Sequence, residues 1–490
     1  MRRSGILLPV SSLPSRWGIG AFDKSAYEFI DRLARANQSV WQILPLGQTG
    51  YGDSPYQSFS AYAGNPYFVS LDALIDEGLL CEDELQEFDW GSDPERVDYG
   101  LLYHNRYIVL RRAFERASQE LLSATSKFAL KHAYWLPDYA LYMALKSNFG
   151  LRSWNEWPDE GIKLRKPDSV RHYRAELEQE IHFNYFIQYL FFTQWNELKS
   201  YANSKGIRIF GDIPIYVSLD SADVWAHREL FLLDEDGIPT CVAGVPPDAF
   251  TQDGQLWGNP IYDYDRMERD GFSWWISRLR AAKGLYDIAR IDHFRGLDSY
   301  WSVPYGETTA QNGSWAIGPG KRFVAAIKVA VPDMDIVAED LGYLTDSVRE
   351  LLRFSEYPGM KILQFAFGPE GDSEYLPHCY TQNCVCYTGT HDNEPVAAWL
   401  ELANDATVSF AMRYLDCSKE EIPHRMLRAG MASVADLFVA QMQDYLDLGA
   451  EARTNTPSTS EGNWAWRMKV DAFSDELICH IAELTRTYGR

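Results

Sequence analysis

Eight short apolar runs, each followed by an amphipathic stretch, recur along the chain. They fall at 5–10, 40–46, 207–217, 286–293, 335–341, 361–367, 384–390 and 437–442. Between them lie segments with helical spacing of apolar residues. In 23–34, for example, Tyr27, Ile30 and Leu33 share one helix face. Further helices are expected over 183–205, 321–331, 345–354 and 472–487. Such a series in strand–helix order predicts a parallel sheet covered by helices. Eight units favour a closed (β/α)8 barrel, an α/β fold of the TIM type, over an open doubly wound sheet. No GxGxxG follows the first run and no GxxxxGK[ST] occurs, which disfavours nucleotide binding.

The alternation pauses once. Residues 66–186 are polar, Trp-rich and helix-like, with helices expected over 101–123 and 133–147. They lack the Ser/Gly-rich tract of a linker, so an inserted, mostly helical subdomain is expected there. A second insertion, a loop subdomain over the active site, is expected over 225–275. Both belong to one catalytic barrel spanning 1–490.

Composition narrows the partners. The net charge is -23, which repels phosphate backbones and anionic lipid. Neither nucleic acid nor a membrane surface is expected as a partner. No run approaches the ~20 apolar residues needed to cross a bilayer. The N-terminal MRRSGILLPV reaches Pro9 too soon for a signal sequence. Seven cysteines, odd in number and irregular in spacing, argue against a disulfide framework and suit a reducing cytoplasm. Cys379, Cys384 and Cys386 lie close together but lack a paired CxxC, so no metal is expected. Aromatic residues make up 14% of the chain, with 16 Trp and 29 Tyr, and core packing accounts for most of them. Rings with a polar edge suit a flat, partly apolar ligand such as a sugar.

Three strand ends carry acids. In 287–295, Asp-Ile-Ala-Arg-Ile-Asp-His-Phe-Arg, side-chain alternation puts Arg290 and Asp292 on one face. A guanidinium beside a carboxylate keeps it ionised and lowers its pKa, as a nucleophile at an anomeric carbon needs. In 336–342, Ile-Val-Ala-Glu-Asp-Leu-Gly, Glu339 shares a face with Val337 and Asp340 points the other way. A partly desolvated Glu there can act as general acid. In 387–394, Tyr-Thr-Gly-Thr-His-Asp-Asn-Glu, His391 and Asp392 end a third strand and can hydrogen-bond sugar hydroxyls. Taken singly, these acids also read as an ion pair, a solvated loop and a helix cap. Together, at the C-terminal mouth of one barrel, they suit glycoside chemistry, which needs two carboxyls at least.

Longer motifs then become recognisable. They are GYGDSPYQSFSA (50–61), GDIPIYV (211–217), AGVPPD (243–248), GQLWGNP (254–260), RIDHFRG (290–296), AEDLG (338–342), THDN (390–393) and GNWAWR (462–467). Nearly end to end, the chain resembles the 4-α-glucanotransferases of glycoside hydrolase family 77. That resemblance implies a (β/α)8 barrel with helical insertions and no metal or organic cofactor. It implies Asp292 as nucleophile, Glu339 as general acid/base and Asp392 as transition-state stabiliser. It implies Arg290, His293 and His391 as supporting residues, and Asp212 as a residue lining the same site. It further implies Asp248, Trp257 and Asn259 in a loop over the acceptor, Tyr56 near the donor, and Tyr51 as a more remote glucan contact. Two departures, Cys379 in Leu-Pro-His-Cys-Tyr and the Arg453-Thr-Asn-Thr-Pro-Ser run, touch no carboxylate.

The expected reaction moves a segment of a 1,4-α-D-glucan to the 4-hydroxyl of another glucan or glucose. Two inversions through a glucosyl-Asp give retention, with the carboxyls ~5 Å apart. Trp257 and residues 244–258 are the expected shield of that intermediate against water. An α-amylase-type hydrolase would use the same three acids. The 244–259 motif and Asn463-Trp464-Ala465-Trp466 favour transfer. A catalytically dead glucan-binding protein would not need all three acids.

Overall fold

The structure is a computed structural model that describes residues 2–50, 52–247, 252–342, 344–368, 373–459 and 461–490. Its strands are, in chain order, β1 (Arg3–Leu7), β2 (Val40–Gln42), β3 (Arg208–Ile213), β4 (Cys241–Val245), β5 (Gln255–Pro260) and β6 (Ile288–Ile291). They continue with β7 (Ser299–Pro304), β8 (Ser314–Ile317), β9 (Asp335–Ala338), β10 (Gly359–Ile362), β11 (Cys384–Tyr387) and β12 (Leu437–Gln441). Eight of them form one parallel sheet, in the order β10-β11-β12-β1-β2-β3-β6-β9. These are the eight runs expected from the sequence.

The ends of that row meet. Ala338 donates its N–H to Pro358 O at 2.9 Å, and Met360 donates to Asp340 Oδ1 at 2.6 Å. A Cβ on Gly359 would lie 2.5 Å from Asp340 Oδ2, so any larger residue there would have to push that carboxylate aside. The sheet thereby curls into a barrel.

Alternation sorts each strand into an inside and an outside. Leu7, Val40, Phe210, Ile288, Val337, Met360, Ile362, Val385, Tyr387, Leu437 and Val439 make one buried cluster that draws on all eight strands. Their neighbours Ile209, Ala289, Ile291, Ile336, Ala338, Cys384, Cys386 and Phe438 belong to the larger layer between sheet and helices. Cys384 and Cys386 thus act as small apolar side chains under the helices.

Helices cover the barrel as their apolar faces require. Lys24–Arg35 buries Ala26, Phe29, Ile30 and Leu33, and Asp23 caps it by accepting the Ser25 N–H. The stretch read as one helix over 101–123 is two, Tyr99–Glu115 and Gln119–Lys131. Ser118 breaks it, because its side chain accepts the Leu121 N–H and starts a new helix. Leu136–Asn148 and the 27-residue Glu178–Ser204 follow before β3. No helix among the described residues is long and apolar enough to cross a membrane.

A second, antiparallel sheet in the order β5-β4-β7-β8 stands beside the barrel mouth. Its β4 and β5 come from the chain between β3 and β6, and β7 and β8 from the chain between β6 and β9. None of these four strands is among the eight expected runs, and 225–275, which holds β4 and β5, reads in the sequence as a loop subdomain. β5, β7 and β8 each leave most of their residues partly or fully exposed, so none carries a continuous buried run.

Candidate active site

Asp212 and Arg290 are register partners on neighbouring strands, both on the inner face, above Phe210 and Ile288. Arg290 donates from Nε to Asp212 Oδ2 at 2.9 Å and from Nη2 to Asp292 Oδ1 at 2.6 Å. Asp292 follows β6 directly, and its N–H donates to Ile213 O at 3.0 Å. One residue on, His293 sits in the left-handed region at φ 48°, a conformation a non-glycine residue holds only under tertiary constraint.

That constraint comes from Glu339, which directly follows β9 on the inner face with Val337. Its Oε2 accepts the His293 N–H at 2.6 Å and its Oε1 accepts the Leu341 N–H at 2.9 Å. Phe294 N–H donates to Glu339 O at 3.0 Å. Asp292 and Glu339 are therefore tied through one residue. Asp340 points outward into the barrel joint, so the two adjacent acids have separate tasks.

The third acid is held from two sides. Asp392 Oδ1 accepts from Asn455 Nδ2 at 2.6 Å, and Oδ2 lies 3.3 Å from His391 Nε2. Arg453 donates to Asp392 O at 3.0 Å and pairs with Glu394. Asn455 and Arg453 had drawn notice only as part of a departure from a family pattern. Their signal was a pair of polar residues ahead of Pro457.

Behind this lies an aromatic wall. Tyr56 stacks on His391 at 5.4 Å between ring centroids, and Trp464 lies 5.8 Å from Tyr56 and 5.9 Å from His391. The Tyr56 hydroxyl reaches Asp212 Oδ2 at 2.7 Å and His391 Nε2 at 2.9 Å. Burial and Asp212 push the Tyr56 pKa well above its ordinary value, so the hydroxyl keeps its proton and donates it to Asp212. His391 must then donate from Nε2, which assigns its tautomer.

Burial dominates the titration of the site. It raises the Asp292 carboxyl well above the usual range; Arg290 opposes the rise, while Asp212, Glu339 and Asp392 add to it. The sequence expectation, that Arg290 lowers the pKa, holds for that pair alone. The guanidinium is shared with Asp212, and burial outweighs it. Burial also raises Glu339, against Arg290 and the two backbone N–H donors. It lowers His391, and it pushes His293 down to about 3 with help from Arg295. Both imidazoles are thus neutral donors or acceptors rather than charges.

These groups line an open cleft of about 750 Å³ that includes Tyr56, Trp257, Asn259, Arg290, Asp292, His293, Glu339, His391 and Asp392. Trp257 crosses His293 edge-on at 4.8 Å. Asn259 donates to Val217 O at 2.9 Å and accepts from Gln57 at 3.0 Å, which anchors the β5 end of the overhang. Asp212 sits one layer deeper, its side chain fully buried beneath Arg290 and Tyr56. Tyr51 and Asp248 lie outside the described residues. From the far side, Asn455, Pro457, Thr459 and Trp464 close over the cleft.

A (β/α)8 barrel with three carboxylates and an aromatic wall around an open cleft at its mouth is the architecture of a carbohydrate-active enzyme. The profile of glycoside hydrolase family 77, described as 4-alpha-glucanotransferase, matches residues 8–472. The chain belongs to that family. It is 49% identical to the 4-alpha-glucanotransferase of Clostridium butyricum, over 98% of this chain and 99% of that one. It is 48% identical to that of Streptococcus pneumoniae, over 100% and 97%. The solved amylomaltase of Streptococcus agalactiae in complex with acarbose superposes with a TM-score of 0.98 at 42% identity, covering both chains fully. The protein is accordingly an enzyme that transfers segments of α-1,4-glucan.

Proposed function

We propose that transfer proceeds by double displacement with retention, through a glucosyl ester on Asp292. Asp292 attacks the anomeric carbon while Glu339 protonates the departing glycosidic oxygen. Glu339, now ionised, takes the proton of the acceptor's 4-hydroxyl as that oxygen displaces Asp292. Asp392, with one oxygen anchored by Asn455, grips the vicinal 2- and 3-hydroxyls more tightly as the ring flattens, which is stabilisation felt mainly in the transition state. His391 and His293 offer neutral ring nitrogens to neighbouring hydroxyls.

The observation that carries this reading is the tie through His293. It ties Asp292, paired with Arg290, to Glu339, whose two oxygens each accept a backbone N–H, so the two buried carboxylates sit in the different settings that a nucleophile and an acid/base require. Donor and acceptor are maltooligosaccharides, with glucose as the smallest acceptor. Trp257 beside His293, with the β4–β5 hairpin, screens the ester from water until a sugar arrives. Seven free cysteines fit a cytoplasmic setting.

The test uses α-glucosyl fluoride, whose leaving group needs no acid. Intact mass of Glu339→Gln after exposure is expected to gain one glucosyl unit, with peptide mapping on Asp292. An adduct elsewhere, or none while Glu339→Gln still releases fluoride, would refute the assignment.

A further inference from the structure

The loop that carries His391 and Asp392 leaves β11 at Thr388 and enters the helix Val396–Leu402. Both of its ends reach one side chain. Thr388 donates from Oγ1 to Asp444 Oδ2, and the Val396 N–H donates to Asp444 Oδ1 at 2.8 Å. Between those ends, Glu394 O accepts from Gln364 Nε2 at 2.8 Å and from Gln441 Nε2 at 3.4 Å. Within the loop, Asp392 N–H donates to Thr390 Oγ1 at 3.3 Å, and Asn393 Oδ1 accepts the Thr390 N–H at 2.9 Å. The loop thus folds on itself, and Asp444 fixes where it stands on the barrel.

Asp444 lies on the single helical turn Met442–Tyr445, which follows β12. Its neighbour Gln443 faces the other segment that grips the third acid. Gln443 donates from Nε2 to Ala452 O at 3.1 Å and to Thr454 Oγ1 at 3.0 Å. Interleaved with those residues, Arg453 and Asn455 hold Asp392 by its carbonyl and its carboxylate. Two adjacent side chains of one turn therefore carry both Asp392 and its anchor.

Neither Gln443 nor Asp444 lines the cleft, and both are buried. Burial pushes the Asp444 carboxyl up to about 6, against the bonds from Thr388 and Val396. It is ionised at neutral pH, so both oxygens accept, as two converging donors require. Such a carboxylate is costly to bury and is kept where its bonds fix something. What these bonds fix is the distance between the Asp392 loop and the turn that bears Asn455's segment.

We infer that Asp444, with Gln443 beside it, is a positioning residue for the third carboxylate, an inference that rests on the transition-state role proposed for Asp392. It sets Asp392 against Asn455 and reaches the flattened ring only through them.

Two variants probe this. Asp444→Asn keeps the volume but turns an N–H against one of the two donors. Thr388→Val removes one donor and keeps the shape. In transfer from maltotriose, Asp444→Asn is expected to lower kcat about tenfold or more, and Thr388→Val less, with KM changed about twofold at most. Asp444→Asn is then repeated in an Asp392→Asn background, with ester formation from α-glucosyl fluoride as the readout. There it is expected to cost nothing further, because it acts only through Asp392. An equal loss in both backgrounds shows a clamp on the whole site and overturns the proposal. So does a parent-like kcat in both Asp444→Asn and Thr388→Val. An Asp392→Asn chain as active as the parent removes the role of Asp392 itself, and the proposal with it.

Discussion

Arg290 serves two carboxylates at once, Asp212 at 2.9 Å through Nε and Asp292 at 2.6 Å through Nη2. A lysine has one ammonium and no fork, so Arg290→Lys leaves one acid unpaired in a buried place. Transfer from maltotriose is expected to fall roughly 10²-fold or more. Unfolding in urea is expected to show a loss of about 3 kcal/mol. A variant as stable and active as the parent would mean that the shared pairing is incidental.

Asn455 reaches back to Asp392 at 2.6 Å and fixes the plane of its carboxylate. Asn455→Ala frees that carboxylate to rotate. Loss of alignment of this size costs about 10²-fold in kcat at most. Because the effect is on the flattened ring, kcat is expected to fall more than KM rises. Asn455→Asp sets a like charge against Asp392 and should fare worse at neutral pH. A change confined to KM would count against a positioning role.

The pH profile follows from the two raised carboxyls. In the proposed double displacement Asp292 attacks only when ionised, so activity is lost as pH falls and protons return to it. Glu339 in that scheme donates only when protonated, so activity is lost as pH rises through its titration. Burial raises both, so the acid limb of kcat/KM should lie above the ordinary carboxylate value of about 4. The limbs belong to the coupled pair rather than to either residue. With α-glucosyl fluoride, whose leaving group needs no acid, ester formation should keep the acid limb and show no alkaline limb in either the parent or Glu339→Gln. An alkaline limb with this donor would sink this account.

Trp257 meets His293 edge-on at 4.8 Å, and the proposed screen puts it where water would approach the ester. Trp257→Ala is expected to raise free glucose relative to lengthened glucans in a maltotriose digest followed by chromatography. An unchanged ratio removes the indole from the screen.

The barrel joint depends on Gly359. An added Cβ would meet the Asp340 carboxylate that holds Met360 N–H. Gly359→Ala is expected to cost about 1–3 kcal/mol in urea unfolding, as overpacking does. Equal stability would show that the joint yields without strain.

The eight strands could be read from sequence because each buries alternate residues on both sides of the sheet. That alternation put Arg290 beside Asp292, and it put Glu339 and Asp340 on opposite faces, leaving the choice between them to the family resemblance. It could not say what Asp340 does, since its partner Met360 is 20 positions away. Asn455 was missed for the same reason; its contact spans 63 positions and leaves no local period. The net rise of the Asp292 pKa was also out of reach. It depends on how many acids share Arg290, and Asp212 joins them only through strand pairing. β4, β5, β7 and β8 lie beside the barrel rather than within it, and β5, β7 and β8 carry no run buried on two sides.

β1 is hydrogen-bonded on one side to β2 and on the other to β12. During synthesis the first strand therefore waits for nearly the last one, with one row of its backbone groups unmatched in the meantime. An open edge flanked by Ile6 and Leu7 invites pairing with another nascent chain. The circular order of the strands thus makes the docking of β12 on β1 the step that removes this open edge.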